Sequence, residues 1–263
     1  MSIKAPGKCV NYDEIAPTYD RRYRAGGPAG VAAALLDVVR RVRAEQVLEV
    51  GCGTGHWLAA VRPAVRRAYG LDLSSAMLRK AREQTLGLFF VRGHANRLPF
   101  AAGAFDFVFC VHALHHFADP SAFVHDARWL LRSGGALAAI GMNPHSGRDR
   151  WSLYEYFPGT YEMDLRRYPS PGTVMDWMIS AGFDTVEWRV AAHIVETQVG
   201  RAILEHPILQ KNGTSQLALL TDEEYGVGIA RLEADITTAE AAGKDLVFSA
   251  DISLAMVTGY KQG

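Results

Sequence analysis

Residues 47–55, Val47-Leu48-Glu49-Val50-Gly51-Cys52-Gly53-Thr54-Gly55, constrain this chain more than any other stretch. The apolar run around β-branched Val47 and Val50 predicts a buried parallel strand. It breaks directly into three alternating glycines, which let the backbone turn sharply and come close to a bulky ligand. A strand opening into a glycine loop and then a helix is where open α/β sheets bind adenosine-containing cofactors. The dinucleotide pattern wants its third glycine three places after the second, where this chain has His56, with bulky Trp57 next. No Lys-Ser/Thr pair follows, which excludes a P-loop.

The next apolar run, Ala68-Tyr69-Gly70-Leu71-Asp72-Leu73, ends in an acid about 20 residues after the glycines, where a carboxylate can accept from both ribose hydroxyls. Ser74 is a candidate N-cap for the helix that follows. Gly93-His94-Ala95-Asn96-Arg97-Leu98-Pro99-Phe100 precedes another buried strand, Phe105–Val111, and Arg132-Ser133-Gly134-Gly135 makes a tight turn into Ala136–Ile140.

In these five segments, in this order and spacing over roughly residues 11–141, the chain resembles the class I S-adenosylmethionine-dependent methyltransferases. The resemblance implies S-adenosylmethionine as cofactor, with S-adenosylhomocysteine as its product. By position, Gly51, Gly53 and Gly55 would pack under the cofactor and Glu49 would organise the loop and the methionine amine. Asp72 would hold the ribose, Leu73 and Met77 would flank the adenine, and Val111 would close the crevice from the fourth strand. The family commonly has Gly-Asp-Ala where this chain has Gly93-His94-Ala95. The adenine contact then falls to a neutral His94 ring nitrogen, to Asn96, or to the Ala95 amide alone. Asn11–Asp20 is similar to the Tyr-Asp-x-x-Ala-x-x-Tyr-Asp arm of many small-molecule members, in which Tyr12 or Tyr19 would close the methionine end. The competing reading is a surface arm whose tyrosines pack on the sheet.

Composition narrows the partners. Basic and acidic residues balance, 28 against 28, which argues against a strongly electrostatic nucleic-acid or anionic-membrane partner. Cys9, Cys52 and Cys110 lie far apart and suggest neither a disulfide framework nor a metal site. No signal peptide and no apolar run of spanning length are recognisable, so a soluble cytoplasmic protein is expected. Oligomeric state is not legible.

Strand–helix alternation predicts an α/β fold: a Rossmann-like, mostly parallel seven-stranded sheet with helices on both faces. An N-terminal arm and cofactor-binding core occupy 1–141, a cap insertion 142–168, a core helix and strand 169–191, a helical cap insertion 192–244, and a final strand 245–263. Helical periodicity is read over Thr197–Leu209 and Asp222–Ala242, the second opened by a Thr221/Glu224 capping box. The last strand is expected antiparallel at one side of the sheet. Trp151, Tyr154, Tyr156, Phe157, Tyr161 and Tyr168 either line an acceptor pocket or pack within the cap.

Methyl transfer is an in-line displacement that gains mostly from alignment and water exclusion, with a base useful for hydroxyl or acidic carbon acceptors. His112, one residue past the fourth strand, is the first candidate to touch the acceptor, and His115 the second. His116 has a structural reading, and His145 and His193 stand at the mouths of the insertions. Val111-His112-Ala113-Leu114 replaces the Asn-Pro-Pro-Tyr of enzymes that methylate planar amides, which favours a small organic acceptor. The competing functions are a tRNA or protein methyltransferase of the same fold, and a non-methylating protein using the cofactor fold as a scaffold.

Overall fold

The computed structural model describes residues 10–23 and 29–262. Cys9 lies outside them. A short arm, α1 (Tyr12–Ile15) and a 3-10 turn (Tyr19–Tyr23), precedes helix α2 (Ala29–Arg41). The core follows as β1 (Gln46–Val50), α3 (His56–Val61), β2 (Arg67–Asp72), α4 (Ser75–Gln84), β3 (Phe89–Arg92), β4 (Phe105–Val111), α5 (Pro120–Leu130) and β5 (Leu131–Met142). Then come β6 (Arg150–Trp151), α6 (Ser152–Tyr156), α7 (Thr160–Arg167), α8 (Pro171–Ser180), β7 (Thr185–Val199), α9 (Ser215–Leu219), α10 (Asp222–Ala241) and β8 (Val247–Tyr260).

Side chains of successive strand residues point to opposite faces, and the core divides accordingly. Val47, Phe107, Phe109 and Ala138 bury against α2 and α3, while Leu48, Val50, Val108 and Leu137 bury against α5 and α8. Both faces are covered, so the strands read as unbroken apolar runs. The sheet order is β3-β2-β1-β4-β5-β8, with β7 along the outer side of β8 and the two-residue β6 continuing β5's side of β8. Strands β1 to β5 are parallel and β8 is antiparallel to β5. The chain reverses direction across the sheet between β1 and β4, and the carboxyl ends there are where such sheets open a binding crevice.

Three expectations change. The final strand is antiparallel as read but lies inside the sheet, between β5 and β7. The strand expected to close the 169–191 segment runs on to Val199, because residues 192–199 pair one-for-one with 247–254 of β8. The helix read over 197–209 is therefore absent: Gly200 turns at φ +61° and the rest forms two 3-10 turns, Gly200–Glu205 and Pro207–Leu209. Ile203 and Leu209 are buried, but six residues apart they would not share a helical face, and Pro207 would break a helix between them. Helix α10 forms within a residue of its expected end, with both halves of the Thr221/Glu224 capping box made.

Candidate active site

The loop after β1 is built on its glycines. Gly51, Gly53 and Gly55 all adopt positive φ, at +74°, +51° and +79°. The amides of Gly51 and Cys52 both donate to the Leu71 carbonyl, which ties the loop to β2. A methyl group added to Gly51 would stand 2.5 Å from the Ala113 Cβ, so the loops after β1 and β4 meet only because this residue has no side chain.

Two carboxylates frame this loop. Glu49 shares the sheet face of Val47, is 1% exposed, and takes the Leu58 amide from the first turn of α3. Its Oε2 has no hydrogen-bond partner in the protein. Burial, with the nearby Asp72 charge adding, raises its carboxyl well above the usual range. Asp72, at the tip of β2, accepts the Gly53 amide on Oδ2 and the Ser74 amide on Oδ1, both at 2.8 Å. Burial raises this carboxyl too, against those amides. The Leu73 amide adds a third backbone donor, and the carboxylate still has room for a further one. The orphaned Glu49 oxygen and the glycine cradle fit a group that brings an ammonium and ribose hydroxyls.

The arm closes over this cradle. Asp13 accepts the Ser74 hydroxyl at 2.5 Å and the Ala76 amide at 3.0 Å, at the start of α4. Asp20 accepts the Thr54 hydroxyl at 2.5 Å and is ion-paired to Lys80 at 2.9 Å. With the two aspartates pinned, the Tyr19 ring lies 3.7 Å from where a Gly53 Cβ would be. The Tyr12 hydroxyl reaches His116 Nε2 at 2.6 Å.

The other expected residues fall in different places. Leu73 is 51% exposed beside Asp72, an apolar surface open to a flat ring. His94 is exposed in the 94–97 turn, Ala95 is half-buried, and Asn96 donates its amide to the Asp119 carbonyl. Val111 is buried at the end of β4, whereas Met77 is buried against Ile15 and Ala16 of the arm. His112 holds φ +52°, uncommon for a residue with a side chain, with its amide on the Ile140 carbonyl. His115 stacks on Tyr168, with ring centroids 3.9 Å apart. Burial, aided by the neighbouring His116, pushes its imidazole well below the ordinary histidine range. His145 bonds the Tyr168 carbonyl at 2.7 Å. His193 sits exposed on β7, three strands over from β4, beside Ser253 and Asp251.

Sequence reasoning singled out the arm's tyrosines and overlooked its aspartates, although each Asp directly follows a Tyr. It also passed over Asp164, which is fully buried and accepts Tyr154 at 2.9 Å and Gln216 at 2.6 Å. No local pattern marks an acid whose partners come from distant helices.

The profile of a methyltransferase-domain family matches residues 48–139. Demethylmenaquinone methyltransferase of Clavibacter sepedonicus is 25% identical over 239 residues, 78% of this chain and 96% of that protein. Phthiotriol/phenolphthiotriol dimycocerosates methyltransferase of Mycobacterium leprae (strain TN) is 34% identical over 113 residues, 41% of this chain. The match spans only 42% of that relative's length. Among solved structures, an Anabaena variabilis protein described as a methyltransferase from an antibiotic biosynthesis pathway superimposes with TM-score 0.70 at 18% identity. It covers 88% of this chain and 97% of its own and shows the same fold. Among the described residues no helix is long and apolar enough to cross a membrane. The glycine cradle with its two carboxylates, the sheet order and these matches support a class I S-adenosylmethionine-dependent methyltransferase, the methyltransferase-domain profile itself covering residues 48–139.

Proposed function

We propose that the protein transfers the methyl group of S-adenosylmethionine to a small organic acceptor by in-line displacement. The observation that carries this reading is the buried Glu49, with one oxygen unpartnered at the closed end of a glycine cradle roofed by Tyr19. Burying a carboxylate without a partner costs several kcal/mol, roughly, and the cost is met when a cation arrives.

The cofactor, when bound, supplies a methyl group already activated by a sulfonium. In this reading Glu49 receives the methionine ammonium and Asp72 the ribose hydroxyls. Leu73 and the 94–95 backbone flank the adenine. The pinned arm excludes water, which aligns the reacting atoms and suppresses hydrolysis. His112 and His115 stand at the carboxyl end of β4, where an acceptor proton would be taken up. Burial pushes the His115 imidazole well below the histidine range and makes it a weak proton acceptor, so His112 is the first choice for that role. The names of the two relatives denote a quinone precursor and a lipid, which supports a small-molecule acceptor. The balance of charge supports the same class over nucleic acid. A cytoplasmic setting belongs to this reading, with Cys52 and Cys110 as buried free thiols.

The test is calorimetry with S-adenosylhomocysteine. Asp72→Ala is expected to lose most of the affinity, and unchanged binding would remove Asp72 from the ribose. His112→Ala is expected to lower turnover more than cofactor affinity, and an unaltered rate would remove it from the catalytic list.

A further inference from the structure

Native proteins leave few buried polar atoms without a hydrogen bond. Among the described residues such atoms are concentrated between positions 115 and 164: His115 Nε2, Asn143 Oδ1, Asp149 Oδ2, Trp151 Nε1 and Asp164 Oδ1. Trp151 and Asp164 are 5% and 0% exposed. The five are scattered along the chain, but ring and hydrogen-bond contacts join Trp151 to Asp164 and bring in His115 through Tyr168. Trp151 meets the edge of Tyr154 at 5.2 Å, and the Tyr154 hydroxyl donates to Asp164 Oδ2 at 2.9 Å. Gln216 donates to the same oxygen at 2.6 Å, leaving Asp164 Oδ1 with only the Arg167 guanidinium at 3.5 Å. Tyr168, one residue after Arg167, carries the stack to His115 and so to the carboxyl end of β4.

Resting on the methyl-transfer reading above, we propose that this cluster is the acceptor subsite and takes a neutral planar ring bearing a hydroxyl group. The atoms without a hydrogen bond include a pure donor, Trp151 Nε1–H, and a pure acceptor, Asp164 Oδ1, which has only the longer ion pair to Arg167. A hydroxyl both donates and accepts, so one such group can serve both kinds. His115 and Tyr168 also line a small cavity with Leu114, Ile140, Met142 and Val174, which offers apolar walls to the body of the molecule. Arg167 balances Asp164, so the subsite presents no net charge to an ionic ligand.

The experiment uses the full chain saturated with S-adenosylhomocysteine and three probes of one shape: 1-naphthol, 1-methylnaphthalene and 1-naphthoate. Binding is followed by calorimetry. The wild type is expected to hold 1-naphthol about tenfold tighter than the other two, the difference one satisfied hydrogen bond makes. Trp151→Phe, which deletes the N–H and keeps an aromatic wall, is expected to remove most of that preference while S-adenosylhomocysteine affinity stays within about twofold. Equal affinity for the three probes in the wild type overturns the proposal without any variant, as does a naphthol preference that survives Trp151→Phe; either result leaves internal water as the partner of these atoms. Failure of the wild type to bind S-adenosylhomocysteine is a separate outcome that strikes the methyl-transfer reading itself.

Discussion

Glu49→Gln keeps the shape of the side chain and its acceptor for the Leu58 amide, and removes only the charge. Its two consequences should have opposite signs. In the free protein the carboxylate is buried with Oε2 unpartnered, so ionising it destabilises the fold. A folded carboxyl raised above its unfolded value makes stability fall as pH climbs from the ordinary glutamate range through the raised value. The glutamine variant escapes that loss. Its melting temperature should therefore match the wild type in acid and exceed it at higher pH. Cofactor affinity should move the other way, because a charge-assisted contact to the methionine ammonium is lost. Such contacts are worth about 2–3 kcal/mol, so affinity for S-adenosylhomocysteine should fall about 30- to 150-fold. Wild-type affinity should also rise with pH across the same window while the variant's stays flat. Thermal melts of the free protein and titration calorimetry, each run as a pH series, read both effects. A variant that melts lower than wild type at every pH and binds S-adenosylhomocysteine within threefold of it would refute the reasoning.

Gly51→Ala combines an unfavourable φ with a Cβ set 2.5 Å from Ala113, whereas Gly134→Ala has a similar φ of +80° and nothing within 4 Å. The first should cost about 2–5 kcal/mol and the second about 1–2 kcal/mol by denaturant unfolding; equal losses would mean that the close approach of the two loops is not limiting. Asp20 is raised by burial but held lower by Thr54, Lys80 and Gln84, with a net depression. Its contribution to arm docking is therefore present above the ordinary aspartate range and lost as pH falls through the depressed value. Asp20→Asn should speed tryptic cleavage after Arg21 at neutral pH, and an unchanged cleavage rate would show that the arm is held elsewhere.

Much of the core was legible because its signals are local. A run such as Phe105–Val111, buried on both faces, reads as a strand wherever it occurs, and the ends of β1, β4, α4 and α10 lie where periodicity and capping put them. The cradle was legible for the same reason: alternating glycines followed by an acid at the next strand end form a pattern within one stretch of chain. The 197–209 segment was not, since its apolar spacing suits a helix, and only the ladder to β8 makes its first residues strand. Met77 shows the limit on single residues. Its place in α4 was read correctly, yet its packing against Ile15 and Ala16 comes from an arm some sixty residues away.

Patterns confined to neighbouring residues, where backbone preference and strand or helix period act, were enough to set the α/β class, the glycine loop and the acids beside it. The arm's seat on Thr54 and Lys80, the position of β8 inside the sheet, the uncommon backbone of His112, and the buried set around Asp164 came from contacts between distant segments. Hydrogen bonds such as Asp20 to Thr54 or Gln216 to Asp164 join residues tens of positions apart. Their energy depends on how the whole chain packs, and no window of sequence contains both partners.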